Sequence, residues 1–313
     1  MKQLISKTVK KCQLCQTVKR RTQSLGHVPP KQNPDAIPWH TLCIDLIGPY
    51  QLLPYAKRTK DKTKKHEEQL QCLTMIDPAT GWFEIASVSG KTPYQIATAL
   101  EQTWLSRYPW PTEVVMDQGN EFATDVMQML EDDYGVNRKR ITTRNPQANS
   151  MVERAHQTVH NMIRTNQLHI PVEGHTLPER VTGILTAVGH AMRSTVHTTL
   201  RATPTQLVFQ RDAYLNVNFQ ANWNYIKARK QHLITQNNVR ENAHRKPHTY
   251  AEGQTVMVKQ KPNRKHGDKD EYNGPFTINK VNDNGTVRLS RNTQNGGVVY
   301  ETWNIRNIHP HQA

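Results

Sequence analysis

The sequence predicts an α/β domain followed by a small all-β module. Between residues 41 and 168, segments typical of strands come first, and helix-like and strand-like segments then alternate. After Pro247, short segments of alternating polarity are separated by Asn-Gly and Gly-Pro turns. The chain has 313 residues, which is enough for two or three domains with a sizeable core.

The α/β domain begins with a predicted buried strand and a β-hairpin. Residues 41–47 (TLCIDLI) form a short apolar run that contains one acid and ends at Gly48-Pro49. Residues 70–76 and 82–88 flank the sequence Asp-Pro-Ala-Thr-Gly, whose Pro and Gly suit the positions of a tight turn. These segments predict three strands, two of which are joined as a hairpin.

Helices and strands alternate in the rest of this domain. One helix is predicted to begin at the cap residue Thr92, with Pro93 in its first turn, and another to end at Gly135. In chain order, the predicted elements are a helix at 92–105, a strand at 112–116, a helix at 124–134, a strand at 140–143, a helix at 152–168 and a helix at 182–209 that is broken at Pro204.

The last third of the chain predicts a connecting helix and then strands. Residues 223–245 are polar and basic with helical spacing, and strands are predicted at 255–259, 276–281 and 286–290. The predicted domain organisation is a basic N-terminal segment at 1–37, the α/β domain at 38–210, a connecting helical segment at 211–248 and the small β module at 249–313.

Charge is distributed unevenly along the chain. The net charge is +15, with 41 Lys or Arg against 26 Asp or Glu. Residues 1–40 hold eight basic residues against one acidic residue, residues 225–313 hold fifteen against seven, and residues 41–224 hold eighteen of each. A neutral middle between two basic arms predicts a polyanionic partner, because contacts to phosphates supply the sequence-independent part of nucleic-acid affinity. The alternative is a basic surface that serves solubility only.

Composition also indicates the compartment. Four cysteines are too few for a disulfide scaffold, which favours a reducing environment. The mean hydropathy is -0.76, and no stretch approaches the roughly 18 apolar residues of a membrane-spanning helix. The N-terminus lacks the apolar core of a secretory signal. We therefore expect an intracellular protein with no membrane partner.

Three carboxylates stand out by their positions in the predicted elements. Asp45 interrupts an apolar strand, Asp117 follows the end of another, and Glu153 lies at the start of the helix at 152–168. An acid in a buried strand needs a cation, because an unpaired buried charge is strongly disfavoured. That cation is either a metal ion or the side chain of a Lys or Arg.

The contexts of these acids carry a resemblance to a known family. They are WHTLCIDLIGPY, VVMDQGNEF and NPQANSMVERAHQTV, with 35 residues between Asp117 and Glu153. This pattern closely resembles the Asp, Asp, 35-residue gap, Glu signature of retroviral and gypsy-type LTR-retrotransposon integrases. Cys12-x-x-Cys15 resembles the second half of the family's zinc knuckle, and Gly274-Pro275-Phe276 resembles its C-terminal GPF module, so the resemblance covers nearly the whole chain.

The resemblance implies a fold and a reaction. The fold is an RNase H-like core, a mixed five-stranded sheet flanked by helices, with a partial zinc-knuckle remnant before it and a small β-barrel module after it. The three carboxylates would bind two Mg²⁺ (or Mn²⁺) ions, since hard oxygen ligands match Mg²⁺. The implied enzyme is a polynucleotidyl transferase that processes 3′ ends of retroelement DNA and joins them to target DNA. The sequence has no nucleotide-binding P-loop and no serine-hydrolase elbow.

The residues near Glu153 give candidate DNA contacts. His156, Gln157, His160 and Arg164 follow it at helical spacing on one face, which is otherwise a solvated polar face. In the loop before the helix, Gln147 and Asn149 match the family's pattern, whereas Ser150 replaces its Gly. A flexible Gly would let this loop open over a substrate.

The zinc-knuckle part is incomplete. Zinc in a structural site takes four ligands, and no His precedes Cys12. His27 and His40 are possible substitutes, but their spacing matches no usual zinc motif. We therefore predict a truncated N-terminus with Cys12 and Cys15 as a partial zinc site, and Cys43 and Cys72 as core residues.

Three functions remain open at this point. The leading prediction is a DNA integrase that acts as a homo-oligomer on double-stranded DNA in the nucleus, with a chromatin protein as a further candidate partner. The second is a catalytically idle DNA-binding remnant of a retroelement, which would bind DNA without metal-dependent strand transfer. The third is another RNase H-like transposase or nuclease, which would not need residues 247–313.

Overall fold

The structure is a computed structural model. It describes residues 3, 8–9, 11–19, 23–30, 37–51, 69–90, 92–116, 126, 128–140, 150–169, 176–260, 271–292 and 297–311.

Helices and strands occur throughout the described residues. The α-helices are α1 (Gln13–Val18), α2 (Pro93–Leu100), α3 (Ser150–His169), α4 (Leu177–Ser194), α5 (Pro204–Phe209) and α6 (Trp223–Ala243), with π-helical segments at Glu101–Leu105 and Met129–Asp133 and a 3-10 helix at Ile305–Asn307. The strands are β1 (Ser24–Leu25), β2 (Thr41–Gln51), β3 (Gln69–Ile76), β4 (Phe83–Val88), β5 (Glu113–Met116), β6 (Asn137–Arg140), β7 (Arg245–Lys246), β8 (Thr255–Lys259), β9 (Tyr272–Val281), β10 (Thr286–Asn292), β11 (Val298–Asn304) and β12 (Ile308–Pro310). No helix among the described residues is long and apolar enough to cross a membrane.

Contacts divide the chain into two compact units. The larger unit contains the described residues between 34 and 230, and the smaller contains the described residues up to 33 and from 231 onward. The boundary between residues 230 and 231 falls within α6.

A mixed five-stranded sheet forms the centre of the larger unit. Its strand order is β4-β3-β2-β5-β6, with β2, β3 and β4 antiparallel and β2, β5 and β6 parallel. The predicted hairpin is confirmed as β3 and β4, and Gly81 in its turn has a positive φ of 75°. The mixed α/β sheet that the resemblance implied is therefore present, and β2, which carries Asp45, is its central strand.

Helices cover both faces of this sheet because side chains alternate along its strands. On β3, Leu73 and Met75 join a core cluster with residues of α2, whereas Leu70, Cys72 and Ile76 join a second cluster with residues of α3 and α4. Cys72 is fully buried in the second cluster, and Cys43 packs against this cluster. The prediction that both cysteines are core residues is therefore confirmed.

Several helix boundaries differ from the predicted ones. The predicted helix at 182–209, broken at Pro204, is two separate helices, because α4 ends at Ser194 and α5 begins only at Pro204, after the cap residue Thr203. Helix α4 also begins earlier, since Thr176 and Glu179 form a capping box in which the Thr176 N–H donates to Glu179 Oε2 at 2.7 Å. The strand predicted at 140–143 is found earlier, at Asn137–Arg140, and residues 141–143 lie outside the described residues.

The smaller unit contains a five-stranded sheet with the order β11-β10-β9-β8-β12. Its neighbouring strands are antiparallel, and the three predicted strands lie within β8, β9 and β10. Strand β1 pairs in parallel with β7 in the same unit. Val28, next to β1, is buried in the core of this sheet with residues such as Val256, Val287 and Leu289.

Candidate active site

Asp45 lies in the middle of the central strand β2. It is paired with Thr74 on β3, whose hydroxyl donates to the Asp45 carbonyl at 3.0 Å. The Leu46 N–H donates to Asp45 Oδ1 at 2.8 Å. Because side chains alternate, Asp45 lies on the same face of β2 as Cys43 and Ile47, which pack with residues of α3. The acid that interrupts the apolar strand therefore points toward α3.

Helix α3 presents Glu153 beside this strand. Val152, Val159 and Ile163 are buried against the sheet at spacings of seven and four residues. Glu153 is exposed, one residue after Val152. Burial of the apolar stripe therefore fixes the rotation of the helix and leaves the Glu153 carboxylate accessible.

His156 joins the helix to the strand. Its Nδ1 lies 3.7 Å from Asp45 Oδ2, and its Nε2 lies 2.8 Å from Thr74 Oγ1. Since the Thr74 hydroxyl donates to the Asp45 carbonyl, the hydrogen-bond network assigns the ring proton of His156 to Nε2. Burial lowers the pKa of His156 to about 4, so the ring is neutral at pH 7 and adds no positive charge opposite Asp45.

An open cleft of about 440 Å³ lies along α3 and β2. The helix contributes carboxylate, amide and imidazole groups, and the strand contributes an apolar segment with one tyrosine. The lining residues are Ile47, Gly48, Pro49, Tyr50, Glu153, His156, Gln157 and His160. The rings of Tyr50 and His160 are 5.4 Å apart at an angle of 40°, and burial raises the pKa of Tyr50 to about 12.

The structure brings several of the predicted site residues together. Glu153, His156, Gln157 and His160 line the cleft, and His156 contacts Asp45. Arg164 is exposed further along α3, and it is not among the described residues that line the cleft. The remaining predicted residues, Asp117, Gln147 and Asn149, lie outside the described residues.

The donor groups in the described part of the site suit a hard cation. Asp45 and Glu153 offer carboxylate oxygens, the ligands that Mg²⁺ prefers. Within the described ranges, no group of three or more His, Cys, Asp or Glu residues comes together as a metal site. The third predicted carboxylate, Asp117, is outside those ranges. The two placed carboxylates are therefore compatible with the predicted magnesium site.

Cys12 and Cys15 lie in the smaller unit, at the start of α1. Hydrogen bonds from the backbone and the thiol of Cys15 lower the pKa of Cys12, and the bond between the two thiols raises the pKa of Cys15. In the part of the chain that the structure describes, no third His, Cys, Asp or Glu joins them as a metal ligand. Zinc binding by this pair stays a prediction.

Two residues of the site were not predicted from the sequence. Thr74 faces Asp45 only because β2 and β3 pair in this register, and a threonine inside a strand gives no signal of its own. Tyr50 comes directly after Gly48-Pro49. An aromatic residue next to the end of a predicted strand was the sequence feature that could have indicated its place in the site. Both depend on pairing between β2 and β3.

Known structures resemble this fold. A chain of the simian T-cell lymphotropic virus intasome, solved by cryo-EM in complex with PP2A regulatory subunit B56 gamma, has a TM-score of 0.60 and 12% identity, over 100% of this chain and 92% of that chain. The HTLV-2 integrase catalytic core domain in complex with magnesium (trimeric form) has a TM-score of 0.41 and 15% identity, over 54% of this chain and 96% of that chain. The BIV integrase catalytic core domain has a TM-score of 0.39 and 17% identity, over 55% of this chain and 94% of that chain.

No family model and no curated protein matches the sequence. At these identities the likeness is one of fold, and the intasome chain matches over the full length of the protein. The chain therefore has a fold similar to that of the simian T-cell lymphotropic virus intasome chain, with Asp45 and the Glu153 helix side by side at its central strand.

Proposed function

We propose that this protein is a DNA integrase of the retroviral and gypsy-type kind, a Mg²⁺-dependent polynucleotidyl transferase. The observation that carries the proposal is the contact between Asp45 on the central strand and His156, one helical turn after Glu153. This contact brings the helix that carries Glu153 against the strand that carries Asp45. Glu153 itself opens to the cleft, where a phosphodiester would have access.

The sequence position of Asp117 supports a third carboxylate in the same arrangement. Strand β5 ends at Met116, one residue before Asp117 in the sequence, and it pairs in parallel with β2. Asp45, Asp117 and Glu153 would hold the metal. Bound Mg²⁺ would activate a water or DNA 3′-hydroxyl and stabilise the leaving oxygen at phosphorus.

The chain's own residues would position the reacting groups. His156, neutral and hydrogen-bonded to Thr74, would hold α3 against the strands that carry Asp45 and Thr74 without neutralising the Asp45 charge. Gln157 and His160 on the cleft wall would contact the DNA strand. Arg164, Gln147 and Asn149 would extend this contact, and the two basic arms would hold DNA phosphates.

The remaining features of the proposal rest on the sequence and on its resemblance. They comprise the domain boundaries at 37, 210 and 248, and a GPF-type DNA- or chromatin-binding module at 249–313. They also comprise a homo-oligomer on double-stranded DNA, 3′-end processing with strand transfer, a nuclear location and a partial zinc site at Cys12 and Cys15. The intasome-like fold supports the DNA-joining function and the oligomer.

A branched DNA that mimics the joined product tests the chemistry directly. In this substrate a 3′-hydroxyl already lies beside the phosphodiester that the hydroxyl would attack. The reaction therefore depends little on recognition of a DNA end. We expect the wild-type chain to resolve the branch only with Mg²⁺ or Mn²⁺, and Glu153→Gln to reduce the rate by about 100- to 1,000-fold, the cost of removing one electrostatic group from an active site.

Glu131→Gln is the matched control, because it makes the same chemical change at another exposed position of the larger unit. We expect it to keep the wild-type rate, and both variants to keep the wild-type melting temperature. A folded, DNA-binding wild-type chain that leaves the branch untouched would contradict the enzyme proposal and favour the idle DNA-binding remnant.

A further inference from the structure

A bulge in β2 turns Tyr50 toward α3. In the pairing with β3, Ile47 lies opposite Cys72 and Tyr50 lies opposite Leu70, so three steps on β2 match two steps on β3. The extra residue shifts the alternation of side chains by one position. Tyr50 consequently lies on the same face as Ile47, packed against the cluster that holds Leu70 and residues of α3.

Gly48 makes this bulge possible. Its φ is +106°, and a Cβ at this position would lie 2.7 Å from the Leu70 carbonyl oxygen. No other residue type fits that geometry without a backbone shift. The position of Tyr50 in the cleft is therefore built into the strand.

Tyr50 and His160 together form an aromatic wall of the cleft. Their ring centroids are 5.4 Å apart, and both residues are partly buried, so packing limits their movement. Gln157 and Glu153, on the exposed face of α3, line the same cleft. The cleft thus combines aromatic surface, one amide with donors and an acceptor, and a carboxylate.

This combination suits a nucleobase. A base has flat aromatic faces, which stack on tyrosine and histidine rings, and a polar edge, which an amide can hydrogen-bond. The cleft volume of about 440 Å³ lies in the range of small-molecule sites. A base inside a duplex cannot expose its face to such rings, whereas an unpaired base can.

We propose that Tyr50 and His160 form a binding subsite for one unstacked nucleobase of the DNA strand beside Glu153. The proposal rests on the proposed function, which brings DNA to this cleft, and it adds a substrate class, DNA with an unpaired nucleotide next to the reacting phosphate. Stacking gives this subsite little sequence preference, since every base has an aromatic face.

The test places a single 2-aminopurine at each position within three nucleotides of the branch in the substrate described above. Its fluorescence reports stacking, and the titrations are made with the full-length protein without metal ions, so that no chemistry is required. We expect one position, when unpaired, to show a fluorescence change that saturates on binding, and the same position in a fully paired duplex to show none.

A thermodynamic cycle then identifies the stacking residue. Tyr50→Leu keeps an apolar side chain against the core but removes the aromatic face, and an abasic nucleotide removes the base. Either change alone should weaken binding by about 5- to 100-fold, and the two together should weaken it no further than one alone. Tyr50→Phe keeps the ring, so we expect this variant to lose affinity for the abasic substrate by the same factor as the wild type does.

His160→Leu is the second variant, for the case that Tyr50→Leu does not fold, and we expect it to show the same coupling to the abasic nucleotide. Additive losses at every position, or no stacking signal at any position, would overturn the proposed subsite. A wild-type chain that stacks the base but never resolves the branch would keep the subsite and overturn the enzyme proposal. Branch resolution without coupling at any position would keep the enzyme proposal and overturn the subsite.

Discussion

At the scale of single residues, His156 shows how a helix face acquires a specific role. The sequence placed it on the same face as Glu153, among residues that are otherwise typical of a solvated surface. In the structure, its side chain is only 18% exposed and contacts both Asp45 and Thr74. The long-range pairing of strand and helix therefore changes a polar surface residue into a partly buried contact of the site.

Burial of His156 makes stability depend on pH. Its pKa in the folded chain is about 4, below the ordinary value of 6.5, so the unfolded chain binds a proton first as the pH falls. This destabilising effect of proton uptake is absent above pH 6.5, and the free energy of unfolding decreases as the pH falls from 6.5 to 4. At pH 5 we expect a loss of about 2 kcal/mol relative to pH 7.

Urea unfolding at pH 7, 6 and 5 measures this loss. His156→Gln keeps a polar group near Thr74 but cannot take up a proton in this range. We therefore expect the free energy of unfolding to fall less for the variant than for the wild type as the pH is lowered from 7 to 5. All other residues are identical in the two proteins, so their effects cancel in the comparison. Unfolding midpoints that fall in parallel would show that His156 is not buried as described.

At the scale of elements, the bulge in β2 decides which side chains enter the cleft. The sequence predicted a strand that ends at Gly48-Pro49, whereas β2 continues through this pair to Gln51. The strand continues because β3 accepts the extra residue by a shift in register. Such a shift depends on the partner strand, which a local pattern does not include.

Gly48→Ala tests the bulge. The added Cβ would meet the Leu70 carbonyl oxygen at 2.7 Å and would hold an unfavourable φ, so we expect a loss of about 2 to 4 kcal/mol in the free energy of unfolding. Gly135→Ala is a matched control, because Gly135 also has a positive φ but, among the described residues other than its chain neighbours, no atom lies within 4 Å of the added Cβ. It should cost about 1 kcal/mol.

Thermal or urea unfolding of the two variants separates two costs. Both variants bear the cost of the unfavourable φ, and only Gly48→Ala bears the cost of the close contact with the Leu70 carbonyl oxygen. A Gly48→Ala protein that is as stable as Gly135→Ala would show that the strand has no close approach at Gly48. The 2-aminopurine titration adds a second measurement, since a displaced bulge should also move Tyr50 and weaken the stacking signal.

At the scale of the whole molecule, the smaller unit joins distant parts of the sequence. The Val28 N–H donates to Asn242 Oδ1 at 2.9 Å, and the Val28 carbonyl accepts from Asn238 at 2.8 Å and from Asn242 at 3.0 Å. The Arg245 guanidinium donates to the Leu25 carbonyl at 2.6 Å. The N-terminal segment is therefore part of the core and hydrogen-bonding network of the unit that contains β8–β12.

Val28→Ser measures how much this segment stabilises the smaller unit. Val28 is 3% exposed, so the substitution removes buried apolar surface and adds a hydroxyl to the core. We expect a loss of about 2 to 4 kcal/mol. The neighbouring His27 is exposed, and His27→Ser should change stability by no more than about 0.5 kcal/mol.

Tryptophan fluorescence is a suitable probe for this comparison, because Trp303 belongs to the same core cluster as Val28. Equal unfolding midpoints for the two serine variants would show that the segment around Val28 does not pack into this unit.

The sequence by itself determined most strands and helices of the larger unit, the acid in its central strand and the helix that carries Glu153. These follow from local rules, namely side-chain periodicity, capping residues and turn residues. It also carried the family signature, whose implied mixed sheet the structure contains.

Only the tertiary structure decided which residues surround Asp45. Thr74 and His156 contact it, and Tyr50 meets His160 in the cleft, through the register of β2 on β3 and the rotation of α3 on the sheet. Likewise, only long-range packing brought Val28 into the core beside β8–β12. The physical reason is that these contacts join residues far apart in sequence, and their geometry is set by burial of apolar surface across the whole unit rather than by any local pattern.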